Sequence, residues 1–376
     1  MSMRIALVVP SFLPQVGGAE FVVHHLACQW TRQWHQVLVL NCLSDKVTEP
    51  GADYAVRKFT LLRGATRFGY HRFPFAWHAR KKLQRLLYAF NPDFISAHMA
   101  YPTAIWLSGL RPKQNFIVTC HGADITPYEY DGYRSLFNID KVLVKALNQA
   151  KGVIALSRYA RGLLQEMGVQ SDRILDIPNG VDIERFQKRV ECDIRAKLGL
   201  PAHALMIISV GRNNPAKAYD TGIRAFAKVL AKIPSAYYII LGKGVEQWNS
   251  LAEKLNINSH VMLLPGLYGD DLVAAYQQAD IFFSPSIEEM FPLVVLEAMA
   301  AGLPCVVTDI SGNQDAVENG SNGILVQPGQ PDEMANALIS LLSNKSLRIA
   351  MGTDGRDKSS QFSWERISQL YLEHRY

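Results

Sequence analysis

Two glutamates, Glu289 and Glu297, lie eight positions apart in a stretch that changes from strand to loop to helix. An apolar run ends at Phe283, a Ser-Pro-Ser turn follows, and the residues after Pro292 favour a helix that ends at Gly302. The free N–H groups of a helix that begins at such a loop bind anions. Carboxylates beside a phosphate site are suited to holding hydroxyls. The pattern therefore predicts a site for a sugar and a nucleotide together.

Two cations follow another strand-like run. The run Leu205–Val210 ends at Gly211 and Arg212, and Lys217 follows five residues after the arginine. Both side chains can reach a diphosphate from a turn between strand and helix, and arginine can do so with two parallel hydrogen bonds. The plainer alternative is an exposed charged loop.

Glycines and a histidine end two strands of the N-terminal half. Gly17 and Gly18 open a helix predicted over residues 19–34, after the short buried strand 5–9. Glycine lets backbone N–H groups approach a phosphate, but a tight turn needs glycine for steric reasons as well. His121 follows the strand-like run 116–120, with Asp124 three residues later. A histidine at a strand end is more often structural than catalytic.

These motifs together resemble glycosyltransferase family 4, whose members are retaining enzymes of the GT-B fold that use nucleotide-sugar donors. The resemblance rests on the glutamate pair, Phe291 between them, the Glu-Ala-Met-Ala-Ala-Gly run and the Gly-Arg and Lys spacing, and it extends over nearly the whole chain. It implies that the Gly18 amide contacts the donor diphosphate, that His121 meets the donor sugar and that the backbone of residues 265–268 contacts the nucleobase. Ala218 and Pro292 replace glycines common in the family, and Pro292 has no N–H to offer.

The fold class expected is α/β, because strand-like and helix-like runs alternate along both halves. Two Rossmann-like, doubly wound parallel-sheet domains with an interdomain cleft constitute the GT-B architecture. We assign residues 1–190 to an acceptor-binding domain and 191–361 to a donor-binding domain. The resemblance implies that a helix over 362–376 packs back on the first domain. Residues 191–201 are predicted to be a linker.

Composition excludes few classes of protein. The chain has 376 residues, 48% of them hydrophobic, a formal net charge of +5 and five cysteines. Cys42, Cys120 and Cys305 lie in or beside apolar runs, so we expect buried thiols in a reducing compartment. No run approaches the roughly 20 apolar residues that a membrane-spanning helix needs. We expect a protein that is cytoplasmic or peripheral at the inner face of the membrane.

The segment 57–85 is basic and aromatic, and no acid occurs from Tyr54 to Pro92. It is interpreted either as a solvated loop and helix face or as a surface for an anionic membrane or a lipid-linked acceptor. Nucleic acid is disfavoured because no base-reading module accompanies the charges. The residues assigned to acceptor or membrane contact are Arg63, Arg67, Arg72, Arg80, Lys81 and Lys82.

We interpret the chain as a retaining hexosyltransferase, which moves a sugar from a nucleoside diphosphate to a sugar or lipid-linked acceptor, with a surface polysaccharide or glycolipid as product. No Asp-x-Asp motif for a metal occurs, so no metal or cofactor is expected. The alternatives are another GT-B enzyme, such as an epimerase or phosphorylase, and a non-catalytic sugar-nucleotide-binding partner. The expected catalytic residues are His121, Arg212, Lys217 and Glu289; the expected donor-binding residues are Gly17, Gly18, Arg212, Lys217, Tyr268, Glu289, Phe291, Pro292, Leu293, Val294 and Glu297.

Overall fold

The computed structural model describes residues 2–14, 17–43, 53–64, 69–122, 124–126 and 138–375. The chain divides into two compact units, the first comprising Met1–Asn179 with Trp364–Tyr376 and the second Gly180–Ser363. The sequence predicts a domain boundary between residues 190 and 191. Within the second unit, the Val181 N–H donates to the Phe362 carbonyl at 2.7 Å, so residues directly after Asn179 already belong to it.

The first unit contains, among the described residues, a seven-stranded sheet of order β3-β2-β1-β4-β5-β6-β7. Each pair of neighbouring strands is parallel. Most of its strands are continuous apolar runs, as expected where helices cover both faces. The strands are β1 (Arg4–Val8), β2 (Gln36–Asn41), β3 (Ala55–Lys58), β4 (Phe94–His98), β5 (Ile117–Thr119), β6 (Gly152–Ala155) and β7 (Ile174–Asp176).

Capping residues explain where one helix of the first unit begins and ends. Ser157 accepts a hydrogen bond from the Ala160 N–H at 3.2 Å at the start of one helix, and Gly168 ends that helix with a φ of 98°. The described helices are α1 (Gly18–Arg32), α2 (Phe75–Phe90), α3 (Ala100–Ser108), α4 (Ile139–Leu147) and α5 (Arg158–Met167).

The second unit repeats this plan with a parallel six-stranded sheet of order β10-β9-β8-β11-β12-β13. Its strands are β8 (Leu205–Val210), β9 (Ala236–Leu241), β10 (Val261–Leu264), β11 (Ile281–Ser284), β12 (Cys305–Thr308) and β13 (Gly323–Val326). Its helices are α6 (Ile183–Gln187), α7 (Ile194–Lys197), α8 (Tyr219–Leu230), α9 (Asn249–Lys254), α10 (Gly269–Gln278), α11 (Leu293–Ala301), α12 (Ser311–Gln314), α13 (Pro331–Leu342) and α14 (Lys345–Ser359).

Strand order reverses at one place in each sheet. The reversal lies between β1 and β4 in the first unit and between β8 and β11 in the second. Ligands of doubly wound folds bind beyond the carboxyl ends of the strands at this switch point. The loops after these four strands are therefore where each unit should hold its functional side chains.

The last helix, α15 (Trp364–Glu373), belongs to the first unit and packs on α1. The indole N–H of Trp30 donates to the Ser368 carbonyl at 3.1 Å, and the His25 ring stacks on Trp364 at 5.1 Å. Trp364, Ile367 and Tyr371 are buried and form the apolar face of this helix.

Apolar runs in the sequence predicted twelve of the thirteen strands found in the described residues, and the α/β class with two parallel sheets is confirmed. Strand β3 was missed because its sequence, Ala-Val-Arg-Lys, is largely exposed at the sheet edge and lacks an apolar run. The predicted linker contains α7, which Asp193 caps by accepting from the Ala196 N–H at 3.0 Å. Cys42, Cys120 and Cys305 are buried free thiols, as predicted.

Candidate active site

Glu289 is held in the second unit by a hydrogen-bonded loop that follows β11. Its Oε1 accepts from the Ser286 hydroxyl at 2.8 Å and from the Lys217 Nζ at 2.6 Å. The Ile287 N–H donates to the Ala216 carbonyl at 2.7 Å, which joins this loop to the turn after β8. The predicted cation and the predicted carboxylate therefore meet at the switch point of the second sheet.

The Lys217 and Glu289 side chains are only 18% and 12% exposed. Burial makes such a pair costly to break, because removal of one partner leaves the other charge without compensation. No described residue bonds to Oε2 of Glu289, and the Lys217 ammonium keeps two further N–H donors. The pair can therefore accept from a sugar hydroxyl and donate to a phosphate at the same time.

Arg212 lies on the same turn as Lys217, exposed at the end of β8. The turn is fixed by Tyr219, whose hydroxyl donates to the Gly211 carbonyl at 2.9 Å. Ala218, at the position where the family has glycine, is buried and adopts a left-handed conformation with a φ of 45°. A left-handed conformation costs alanine about 1–2 kcal/mol.

Glu297 lies on the second turn of α11 and accepts a hydrogen bond from the Tyr276 hydroxyl at 2.8 Å through Oε2. Burial raises the pKa of this carboxyl, while the Tyr276 hydrogen bond and the nearby Arg185 charge lower it. Tyr276 is fully buried and makes an edge contact with Phe186. Among the described residues no partner occurs for Oε1, so that oxygen can accept from a hydroxyl.

The remaining donor-site residues of the second unit differ in exposure. Phe291 is buried, with its ring 5.5 Å from that of Phe362. Pro292 precedes the first residue of α11 and is buried as well, whereas Leu293 and Val294 are partly exposed. Tyr268 is 66% exposed before the first turn of α10.

In the first unit, Gly17 and Gly18 begin α1. Gly17 has an extended backbone, and no described atom lies within 4 Å of the position that a Cβ on Gly18 would occupy. Neither the backbone angles nor the packing of the described residues therefore requires glycine at position 18. A tight turn is therefore a weaker explanation for glycine at position 18. Close approach of a ligand to the backbone is the alternative explanation.

His121 lies at the end of β5 beside His98, the last residue of β4. The two rings are joined by a 3.1 Å contact between His98 Nδ1 and His121 Nε2. Asp124 accepts from the N–H groups of His121 and Gly122, both at 2.9 Å, and from the Ala100 N–H. Asp124 therefore ties the loop after β5 to the loop after β4 and fixes the position of His121.

Both histidines remain uncharged near neutral pH. Burial lowers the pKa of His121 to about 3 and places the pKa of His98 well below its usual value. Burial also raises the pKa of Asp124, and hydrogen bonds from the backbone N–H groups of Ala100, Asp124 itself, His121 and Gly122 counteract this rise. This site therefore presents a neutral imidazole, which suits a sugar hydroxyl rather than a phosphate.

The basic segment forms part of the first unit, and its cations point in different directions. Trp77, Lys81, Arg85 and Tyr88 recur at helical spacing along the exposed face of α2, with the Lys81 ammonium 5.1 Å from the Trp77 ring. Arg80 turns inward instead, donates to the Ile105 carbonyl at 3.1 Å and caps α3. Arg63 and Arg72 are exposed, Lys82 is partly buried, and Arg67 lies outside the described residues.

Several residues that shape the site were not singled out in the sequence. A Cβ on Gly312 would lie 2.2 Å from the Glu289 carbonyl oxygen, and a Cβ on Gly242 only 1.8 Å from that of Gly211. These glycines let neighbouring loops approach the two turns that carry Glu289 and Arg212. For His98, the available signal was a polar residue at the end of an apolar strand next to the switch point.

Comparisons with known proteins agree with the two-unit α/β fold. Residues 16–185 match the family described as Glycosyltransferase Family 4, and residues 191–358 match Glycosyl transferases group 1. D-inositol 3-phosphate glycosyltransferases of Nocardia farcinica and Corynebacterium urealyticum are 33% identical over 223 residues and 36% over 213 residues. These matches include 57% and 54% of this chain and 49% and 50% of the relatives, so the chain spans about half the length of the curated relatives it matches.

Solved structures share the fold at lower identity. The Anabaena protein HepE in complex with UDP-glucose superposes with a TM-score of 0.82 at 23% identity, over 99% of this chain and 98% of that one. WaaG, a glycosyltransferase involved in lipopolysaccharide biosynthesis, superposes with a TM-score of 0.76 at 19% identity, over 97% of each chain. Two parallel-sheet units, the two adjoining family matches and these neighbours lead to one conclusion. The chain belongs to the GT-B glycosyltransferases, with a family 4 domain followed by a group 1 domain.

Proposed function

We propose that the chain transfers a hexose-type sugar from a nucleoside diphosphate to an acceptor hydroxyl, with retention of configuration at C1. The observation that carries this proposal is the Lys217–Glu289 ion pair at the switch point of the second unit, on the same side of the sheet as Arg212. One turn thus offers two cations for a diphosphate, and the neighbouring loop offers a carboxylate for sugar hydroxyls. Retention itself is implied by the resemblance to family 4.

Charge compensation is the chemical task of this reaction. Negative charge develops on the diphosphate oxygens as the C1–O bond breaks, and donors already in place stabilise that charge. Arg212 can bind two oxygens side by side, and Lys217 can donate to a third while it stays paired with Glu289. We infer that these cations take the part that a metal has in other transferases, so activity should survive excess EDTA.

In this proposal, the two carboxylates bind different parts of the donor. Oε2 of Glu289 accepts from hydroxyls of the sugar that is transferred, and Oε1 of Glu297 accepts from the ribose hydroxyls. For the first unit, the resemblance to family 4 implies that the Gly18 amide contacts a diphosphate and that the neutral His121 contacts a sugar. The UDP-glucose complex of HepE makes uridine nucleotides the first donors to test.

The experiment is a release assay for the nucleoside diphosphate with UDP- and GDP-sugars and a panel of sugar acceptors, followed by NMR of the anomeric proton. Retention predicts that the product has the anomeric configuration of the donor. Arg212→Ala should lower turnover by about 10²–10³-fold and weaken nucleoside diphosphate binding, whereas Arg224→Ala, on the exposed face of α8, should change neither. Full activity of Arg212→Ala would contradict the proposed role, and sugar interconversion without acceptor would indicate an epimerase.

We also propose that the exposed face of α2 binds an anionic membrane surface that carries a lipid-linked acceptor. Phe73, Trp77 and Tyr88 are 82%, 53% and 88% exposed, and Lys81 and Arg85 lie between the latter two. Aromatic rings at the headgroup level together with cations are typical of peripheral membrane attachment. WaaG's role in lipopolysaccharide biosynthesis supports a surface polysaccharide or glycolipid as the product.

Vesicle sedimentation tests this surface. Binding is expected to vesicles that contain phosphatidylglycerol and not to pure phosphatidylcholine, and it should weaken as salt rises. Each cation near the surface contributes about 1 kcal/mol, so Lys81→Ala should weaken binding about fivefold. Lys145→Ala and Trp34→Ala replace exposed residues elsewhere in the first unit and should have no effect. Equal binding to both vesicle types would leave only the solvated-face interpretation of α2.

A further inference from the structure

His98 has three neighbours that together restrain its ring. It is fully buried at the end of β4. The Ser96 hydroxyl lies 3.2 Å from its Nε2, and Nε2 of His121 lies 3.1 Å from its Nδ1. The ring of Tyr371, from α15, stacks on it with centroids 6.2 Å apart and planes 12° apart. Because both ring nitrogens of His98 are in contact with a neighbour, the contact with Ser96 on one side can fix the hydrogen bond to His121 on the other.

The protons on this chain of contacts can be assigned by counting donors. A neutral imidazole has one N–H, so one of the two rings donates in the contact between Nδ1 and Nε2. Ser96 is fully buried, and among the described residues the His98 Nε2 is the partner found for its hydroxyl. A buried O–H must donate to avoid the cost of an unsatisfied proton. Ser96 therefore donates to His98 Nε2, and His98 donates through Nδ1 to Nε2 of His121.

This order leaves the His121 proton on Nδ1. His121 is only partly buried, and no described residue is bonded to its Nδ1. We propose that His98 is a positioning residue, which holds His121 in the tautomer whose Nδ1–H donates to an oxygen of the transferred sugar. The inference rests on the proposed function for the identity of the ligand, but the tautomer itself is a property of the free protein. A donor fixed in advance loses less freedom when the sugar binds.

The alternative is that His98 only fills space beneath Tyr371. His98→Phe keeps a flat ring there but removes both hydrogen bonds, and His98→Asn keeps an amide N–H near the position of Nδ1. If His98 positions His121, His98→Phe should lower kcat about 10–100-fold while the Kd for the nucleoside diphosphate stays unchanged. His98→Asn should recover part of that loss. Ser96→Ala removes the hydroxyl that fixes which nitrogen of His98 carries the proton, so its loss of kcat should be intermediate.

The tautomer is measured directly by ¹⁵N NMR of histidine-labelled protein, with the His121 signal identified by its loss in His121→Asn. The expected result is a protonated Nδ1 on His121 in the unmodified chain and a mixture of tautomers in Ser96→Ala and His98→Phe. A protonated Nε2 on His121 in the unmodified chain would overturn the proposal, as would normal kcat in a folded His98→Phe. If His98→Phe fails to fold, Ser96→Ala decides by the same two readouts. Absence of any transfer activity would overturn the proposed function, and the NMR result would still decide the role of His98.

Discussion

At the end of β11, the second unit holds a full ion pair between Lys217 and Glu289, whereas at the end of β4 the first unit holds two neutral imidazoles, His98 and His121. Both positions are beside the switch point of a doubly wound sheet. The ion pair joins long side chains from two loops, while the imidazoles are fixed by burial and by the backbone contacts of Asp124. The same topology thus supports a charged site and an uncharged one.

The difference has a physical reason in the ligand that each site would meet. A diphosphate carries full charges, which charged hydrogen-bond donors such as Arg212 and Lys217 stabilise more strongly than neutral donors do. A sugar carries neutral hydroxyls. A neutral donor in a fixed position can bind them without the free-energy cost of burying a charge. We therefore expect variants of the second unit to respond to loss of charge and variants of the first to loss of orientation.

The largest effect is expected from Glu289→Gln, which keeps the shape of the side chain and removes its charge. The transferred sugar changes geometry and charge in the transition state, so kcat should fall about 10²–10³-fold. The nucleoside diphosphate should bind at least as well as before, because the variant removes a negative charge beside Lys217. Steady-state kinetics and calorimetry measure both quantities, with Glu253→Gln on the exposed face of α9 as control. A large loss of nucleotide affinity with normal kcat would reverse the assignment of this carboxylate.

A smaller and different effect is expected from Glu297→Gln and from Tyr276→Phe. The ribose does not change during the reaction, so its contacts are similar in the ground and transition states. KM for the donor should rise about tenfold in Glu297→Gln with little change in kcat. Tyr276→Phe should shift KM in the same direction by less, because it removes only the hydrogen bond that orients the carboxylate. If Glu289→Gln and Glu297→Gln gave the same kinetic pattern, the division of the donor between them would be wrong.

The uncharged site predicts a dependence of stability on pH. The folded pKa values of His98 and His121 lie below 6.5, so the unfolded chain binds more protons below that pH. Their contribution to stability is therefore complete above pH 6.5 and is lost as pH falls from 6.5 towards 3. The slope can reach about 1.4 kcal/mol per pH unit for each histidine.

Denaturant unfolding of the unmodified chain and His98→Gln between pH 5 and 8 measures this slope. His98→Gln should flatten it, whereas His203→Gln, at an exposed position of the second unit, should leave it unchanged. The difference between variants isolates the histidine from carboxylates that titrate in the same range. Identical slopes for all three proteins would mean that His98 is not held neutral by its surroundings.

The smallest effect concerns the turn that carries the cations. Ala218 has a φ of 45°, a conformation that glycine adopts without cost. Ala218→Gly should stabilise the chain by up to about 1 kcal/mol, because relief of strain exceeds the added freedom of the unfolded chain. Melting temperature measures the gain, and kcat should change less than twofold. A loss of stability would indicate that the Ala218 methyl group contributes more through packing than it costs in strain.

The sequence predicted most of the strands and several of the candidate site residues, but not the order of the strands in the two sheets. Buried strands carry continuous apolar runs, so Leu205–Val210 was predicted with correct bounds. The residue types and spacing indicated Glu289, Glu297, Arg212 and Lys217 as candidates. The pairing of Lys217 with Glu289 was not predictable, because it requires β11 to lie next to β8 across 72 positions of sequence. His98 and Gly312 act through contacts with loops distant in sequence, and neither belongs to a local pattern.

The position of α15 affects how the chain is assembled during synthesis. This helix packs on α1, and its Tyr371 covers one face of His98, yet the ribosome makes it after the whole of Gly180–Ser363. At about 5–20 residues per second, the interval between Asn179 and Trp364 lasts about 10–40 s. During that time the nascent first unit lacks the partner of its Trp30 indole, and the apolar surface beneath α15 is open to other chains or chaperones. The first unit can therefore complete its packing only after α15, the last helix that the structure describes, has been synthesised.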